Sequence, residues 1–387
     1  MTISVTIDPS YERLLRMKKA ARMKEKLHRE QMKEANRISR EKQAQEEKAK
    51  HMHATRERAR RDWVRYNEAE CNERFQILNI LLPELCNVTA SLFVKESIPT
   101  RGRPKISLED NLYCALAKVY SSRGSRHSAS LMKDAESKNL IERTPHFNTA
   151  SIFLKKEDVT EILRAMLQLS ACPLTPIEDK IAIDASGFRT TMNNYWLAEK
   201  HRTKVKNEWL KGHIAIGVKT NIITDAVVTD GHSADTKEFK ELLSNTKEVF
   251  DVTEVYADKG YLSRKNYQYA KDLNITAFIP FKCNSTSRPK RSSAWQDMYY
   301  KFVNNSEWFY EHYHLRSNVE TAFFVIKQKL GETLMSKHPR AKINELYCKM
   351  IIYNLMMLNQ ASHALDVEVD FEKMRFDHFG SKCIASA

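Results

Sequence analysis

The chain has 387 residues, with 63 Lys and Arg against 49 Asp and Glu, a formal charge of +14 and a pI near 9.3. With 42% hydrophobic residues, 16 Phe, 15 Tyr and 5 Trp it carries the material for two or three packed domains, which excludes wholesale disorder despite a mean hydropathy of −0.56. Seven scattered cysteines, none spaced as CxxC, argue against a disulfide framework and a zinc site, while a charged first thirty residues and the lack of an apolar run of about 18 residues predict neither a signal peptide nor a membrane span. A basic protein of this kind is expected in a reducing, cytoplasmic, nucleoid-associated setting with a polyanionic partner.

Residues 1–62 are rich in Lys, Arg, Glu, Gln and Ala, and between Tyr11 and Asp62 there is neither Gly nor Pro. They read as a long basic charged helix whose apolar positions thin out too early for a regular heptad seam. It is either a solvated arm or one that lies along DNA or a second subunit. Residues 63–176 read as a helical DNA-binding region ending in a linker around Pro173 and Pro176, with apolar helical spacing at Phe75, Leu78, Leu82 and at Leu112, Ala115, Val119. Ser107 and Asp110 have the spacing of a helix-capping box. Just ahead of them Arg101-Gly102-Arg103-Pro104-Lys105 resembles an AT-hook core. Either Arg101 and Arg103 enter a narrow minor groove, or Gly and Pro merely shape the approach to the helix. Asn148, Ser151, Lys155 and Lys156 lie on a short helix that either reads DNA or is an ordinary polar face.

Strands begin at Lys180. Ile181 to Asp184, His213 to Val218, Asn221 to Val228, Val252 to Ala257 and Thr276 to Phe281 are predicted strands, the second and third forming a hairpin around Lys219-Thr220. Helices are predicted at Thr236 to Phe250, Ser263 to Leu273, Glu307 to Leu330 and Asn344 to Ala361. That order is the order of a ribonuclease-H-like α/β domain, a mixed five-stranded sheet with flanking helices, here over 177–365 and followed by a C-terminal tail, 366–387.

Two carboxylates stand out in this segment. Asp184 interrupts an apolar strand, where Asp is a poor strand former and costly to bury without compensation. Asp258 falls at the carboxyl end of a strand in Ala-Asp-Lys-Gly-Tyr, where α/β sheets gather ligands. Each taken alone is equally a turn or capping Asp. Tyr313, Arg316, Glu320 and Lys327, spaced 3, 4 and 7 apart, project within about 60° of one another on a continuous helix. Leu315, Val319, Ala322, Phe323, Ile326 and Leu330 form its buried face. His232 and Asp235 stand just before a helix, where they either line the site or, the reading preferred for Asp235, cap that helix. Lys282, Arg288, Lys290 and Arg291 form one flexible basic loop, and Trp196, Lys204, Lys206 and Trp209 another. Both are either DNA-tracking or simply solvated.

Tyr313-x2-Arg316-x3-Glu320-x6-Lys327, with Asp184 in Ile-Asp-Ala-Ser-Gly and Asp258 in Ala-Asp-Lys-Gly-Tyr, resembles the compact branch of DDE-class insertion-sequence transposases with the Y-R-E-K signature. The resemblance covers about Lys180 to Ala361, and the basic arm departs from it. It implies a catalytic triad of Asp184, Asp258 and Glu320 holding two Mg²⁺ ions, with Mn²⁺ as a substitute. It also implies DNA contacts by Tyr313, Arg316 and Lys327, double-stranded DNA as partner (transposon ends and target), and a homodimer or higher assembly on DNA. Chemically, three hard carboxylates suit two-metal phosphodiester cleavage and strand transfer. Lys155, Arg101, Arg103, Lys282, Arg288, Lys290 and Arg291 are added as DNA-contact candidates on charge. A non-catalytic DNA-binding descendant and a stand-alone metal-dependent nuclease of the same fold are the alternatives.

Overall fold

The structure, a computed structural model, describes residues 63–93, 105–190, 200 and 209–378. The basic arm 1–62, Arg101 and Arg103, the residues Trp196, Lys204 and Lys206, and the end of the tail from 379 lie outside the described residues.

The helical region comprises α1 (Trp63–Gln76), which continues through a π-helical turn at Ile77–Leu81 into α2 (Leu82–Leu92), then α3 (Leu108–Tyr120), α4 (Ala129–Ser137), α5 (Thr149–Phe153) and α6 (Val159–Ala171). The start of α3 is capped as its sequence predicts: the Ser107 hydroxyl accepts the Asp110 N–H at 2.9 Å. Trp63–Leu92 is long and apolar enough, by length and composition, to span a membrane, which corrects the expectation from sequence. Its apolarity has a local use, since Ile77, Leu82, Leu85, Cys86 and Val88 are fully buried in the protein's own core.

The sheet follows, with β1 (Lys180–Arg189), β2 (Trp209–Gly217), β3 (Ile223–Asp230), α7 (Phe239–Val249), β4 (Glu254–Ala257), α8 (Arg264–Asp272) and β5 (Thr276–Phe278). The five strands run β3-β2-β1-β4-β5, antiparallel on the β2 and β3 side of β1 and parallel on the β4 and β5 side. The mixed five-stranded sheet with flanking helices is therefore as the sequence predicts. Its hairpin closes where expected, with Gly217 N–H donating to Ile222 O at 2.8 Å and Asn221 in the left-handed region at φ 61°. Gly217 is obligatory here. A Cβ would meet the buried Glu178 carboxyl at 2.3 Å, and that carboxylate accepts the turn N–H groups of Lys219 and Thr220.

The chain ends in α9 (Ser293–Asn304), α10 (Ser306–Tyr313), α11 (Ser317–Leu330), α12 (Pro339–Leu365) and α13 (Phe371–His378). Helices α6 and α12 pack on each other and on β3, α11 crosses β1 and β2, and α8 and α10 cover β5. One hydrophobic core runs from Ile77 to Phe371 through the sheet and the helices. Two expectations fail here. The helix predicted from Glu307 to Leu330 is interrupted by a 3-10 turn at His314–Arg316, and α9 forms where the sequence predicts only a loop. Ser292 caps α9 by accepting the Trp295 N–H, and Trp295 and Met298 anchor it in the core.

Candidate active site

Asp184 and Asp258 come together through strand register. Ile183 lies opposite Ala257 in the parallel β1/β4 pair, so the two aspartates follow at the same level, just where β4 ends and β1 continues paired to β2 alone. This is the point at which the sheet changes from antiparallel to parallel, the usual place for a ligand crevice. Asp184 Oδ1 accepts the Ala185 N–H at 2.8 Å.

Helix α11 supplies the remaining groups. Arg316, at the end of the 3-10 turn, donates from Nη1 to Asp184 Oδ2 at 2.6 Å and from Nη2 to Glu320 Oε1 one turn on. Its guanidinium lies 5.8 Å from the Tyr313 ring centroid. Lys327 reaches β1, where its ammonium donates to Ser186 Oγ at 2.7 Å and sits over the Phe188 ring at 5.3 Å. The apolar face is as predicted, with Val319, Ala322, Phe323, Ile326 and Leu330 buried and Leu315 partly so. Past α11 the chain is pinned to the same strand: Arg189 N–H donates to Glu332 O, and Leu334 N–H to Arg189 O. The structure thus gathers Asp184, Asp258, Tyr313, Arg316, Glu320 and Lys327, although across a break in the helix and not along one continuous face.

Burial pushes the Asp184 carboxyl above its usual range; the Ala185 N–H and Arg316 oppose this, and the negative charges of Asp258 and Glu320 add to it. Burial also works against the charge of Arg316, but Tyr313, Asp184, Glu320 and Asp258 outweigh it and hold the guanidinium charged. Tyr313 is raised to about 12, mainly by burial, so its phenol is neutral at pH 7.

The sequence reading missed a second layer behind Asp258. The turn Lys259–Tyr261 buries Tyr261, whose hydroxyl meets His213 Nδ1 at 3.2 Å, while His213 Nε2 meets Thr229 Oγ1 at 3.0 Å. His213 pairs with Ala185 across β1/β2, one residue past Asp184, so this bond ties the Asp258 turn to the strands that carry Asp184. Asp235 does not cap a helix as expected. Lys211 of β2 claims its carboxylate in an ion pair, and its Oδ2 lies so close over Gly260 that a Cβ there would meet it at 2.9 Å. His232 only accompanies the Asp230 turn.

Burial lowers the His213 imidazole from 6.5 to about 4, against the pull of Asp235. Its folded pKa lies below the unfolded one, so stability is lost as pH falls from 6.5 towards 4. We expect His213→Gln to remove about 3 kcal/mol of that acid sensitivity, read as the difference in urea-unfolding free energy between the two pH values. Equal pH slopes in both proteins would mean that the imidazole is not held neutral.

Lys155 is exposed in the turn after α5, while Ser151, on α5, is engaged by Lys118 at 2.8 Å. Lys282, Arg288, Lys290 and Arg291 are exposed between β5 and α9. Their segment is fastened, contrary to the expectation of a flexible loop. Trp295 Nε1 donates to Thr286 O at 2.8 Å, and Arg264, stacked over Trp295, donates to Arg288 O at 3.1 Å. Trp209 begins β2 and is half exposed.

With this geometry in view, residues 175–355 match the family model of the transposase DDE domain. The match supports a DDE-type transposase. A cryo-EM structure of a piggyBac transposase synaptic complex with hairpin DNA is similar over 80% of this chain and 80% of that chain, at 12% identity and a TM-score of 0.36, a likeness too slight to carry any argument. Among the described residues no group of three or more His, Cys, Asp or Glu side chains is gathered tightly enough to hold a metal ion. The donor chemistry nevertheless fits a hard divalent cation, because Asp184, Asp258 and Glu320 offer only hard carboxylate oxygens, and a cationic guanidinium already joins two of them.

Proposed function

We propose that the chain is a DNA transposase whose ribonuclease-H-like domain cleaves transposon ends to release a 3′-hydroxyl and joins that hydroxyl to target DNA. The observation that carries this reading is the meeting of Asp184, Asp258 and Glu320 around Arg316 at the strand-switch point of a sheet that lies within the matched transposase domain. Asp184, Asp258 and Glu320 are the residues that would hold Mg²⁺, two ions in this reading, with Mn²⁺ as a substitute. When bound, such ions stabilise negative charge on the attacking and leaving oxygens of an in-line phosphoryl displacement.

The chain's own side chains do the rest. Arg316 offers a bidentate fork and Lys327 a point charge, the two complementary ways of gripping a phosphodiester near the scissile bond. Tyr313, neutral and partly buried beside them, presents a ring edge to the terminal nucleotides. Its position is held by the stacked Phe309 ring at 6.3 Å. The exposed Lys282, Arg288, Lys290, Arg291 and Lys155 would add phosphate contacts along the duplex. Arg101 and Arg103 would add further phosphate contacts, the basic arm 1–62 would either do the same or pair with a second subunit, and two copies of the chain would bring the two ends together. A cytoplasmic, nucleoid-associated location goes with this reading.

A cleavage and strand-transfer assay on the DNA flanking the gene, with Mg²⁺, tests it by comparing the wild type with Asp184→Asn. Nicking at the flanks with joined products, lost in the variant, is the expected result. Binding without cutting in both proteins would replace it with a non-catalytic DNA-binding role. Cutting without joining would replace it with a nuclease.

A further inference from the structure

We propose that Arg316 is the resident counter-ion of the three carboxylates in the DNA-free protein, and that a divalent cation must displace it. On this view a DNA phosphate that draws Arg316 away opens the metal site. The inference rests on the reading of Asp184, Asp258 and Glu320 as metal donors.

Asp184 has one oxygen occupied by the Ala185 N–H and the other by Arg316 Nη1, while Glu320 Oε1 receives Nη2 of the same guanidinium. One planar fork therefore spans two of the three carboxylates. It is also more deeply placed than the glutamate it binds, with 17% of its side chain exposed against 61% for Glu320. The same guanidinium lies over the Tyr313 ring, 5.8 Å from its centroid. Asp258 makes no ion pair with any described residue yet lies within electrostatic reach of both Asp184 and Arg316. Lys327 forms no ion pair with the three carboxylates among the described residues; its ammonium donates to the neutral Ser186 hydroxyl.

Three carboxylates facing one guanidinium leave a formal deficit of two positive charges. The site thus favours cations while its two best oxygens are already donated into. A cation bound through Asp184 Oδ2 and Glu320 Oε1 competes with Arg316 for the same two oxygens. Phosphate competes for Arg316 with the same bidentate geometry as a carboxylate. Linkage then requires that DNA raise metal affinity by the factor by which metal raises DNA affinity, typically 5–150-fold for a coupling of this kind. The protein would hold little metal away from DNA, which restrains nicking at unrelated sites.

The test is a Mn²⁺ titration of the full chain without DNA, following the electron paramagnetic resonance signal of the free aquo ion. Wild type, Arg316→Gln and Arg316→Lys are compared, each with and without Asp184→Asn. Arg316→Gln is expected to bind Mn²⁺ at least about tenfold more tightly than the wild type. Arg316→Lys should fall between them, because a single ammonium satisfies one carboxylate and not two. Both gains should vanish with Asp184→Asn. If Mn²⁺ binding is sensitive to Asp184→Asn but no tighter in the Arg316 variants, the counter-ion inference is overturned and the donor set stands. If no protein shows Asp184-sensitive Mn²⁺ binding, the donor set falls and the inference with it. Should Arg316→Gln fail to fold, Arg316→Lys decides alone, and its failure to gain affinity overturns the proposal.

Discussion

Glu320→Gln is expected to lower metal-dependent strand cleavage by about a thousandfold or more while leaving DNA binding at moderate salt nearly unchanged. The rate estimate follows from the several kcal/mol of charge stabilisation that a correctly held divalent ion contributes to phosphoryl transfer, each 1.4 kcal/mol being worth about tenfold. Gln keeps the volume and a carbonyl that can still accept the Arg316 Nη2 donor, so the substitution removes a charge and little else. It should also spare the fold, because the Glu320 side chain is largely exposed while its neighbours Val319, Ala322 and Phe323 supply the buried contacts of α11. Nicking of a duplex carrying the flanking sequence, measured beside a binding isotherm on the same duplex, separates the two effects. Cleavage retained at the wild-type rate would remove Glu320 from the mechanism.

The residues involved in that prediction were legible in the sequence for a physical reason. A carboxylate inside Ile-Ala-Ile-Asp-Ala or directly after Val-Tyr-Ala contradicts the local strand pattern, and such contradictions are concentrated where function overrides propensity. The spacing of Tyr313, Arg316, Glu320 and Lys327 was legible too, but their path was not. Nothing in His314-Leu315-Arg316 breaks a helix locally. The 3-10 turn accompanies a tertiary contact, the Arg316 fork that reaches 132 residues back to Asp184. Asp235 shows the same limit from the other side. Its place ahead of α7 argued for a cap, yet Lys211 on β2 supplies a charged partner that no local pattern reveals. His213 and Tyr261, 48 residues apart, are likewise visible only once β2 and the Asp258 turn are adjacent.

Arg164→Ala should destabilise the protein by about 3–5 kcal/mol, the cost expected when one partner of a buried ion pair is removed. Asp225, on β3, is fully buried, and Arg164 on α6 donates to both of its oxygens, at 3.2 and 2.8 Å. Burial alone raises the Asp225 carboxyl, and Arg164 and Asn245 oppose that. Once Arg164 is lost, Gln168 and Asn245 remain within hydrogen-bonding distance, but neither carries charge, so Asp225 must either stay ionised without a counter-ion or take up a proton. That choice gives the prediction its signature. In Arg164→Ala the Asp225 carboxyl moves further above its unfolded value, so the penalty is smallest in acid, where the group is protonated in both states, and grows as pH rises through the raised folded pKa. Urea unfolding of wild type and variant across that range should show the two curves diverging towards neutral pH. A pH-independent difference would mean that Arg164 acts through its packing and its contact with Glu241 and not as the charge partner of Asp225. The pair also binds the helical region to the sheet, since α6 lies against both β3 and α12. Replacing both members by apolar residues, Arg164→Met with Asp225→Leu, should therefore recover most of the loss, because what is costly is the unpaired carboxylate and not the absence of the bridge.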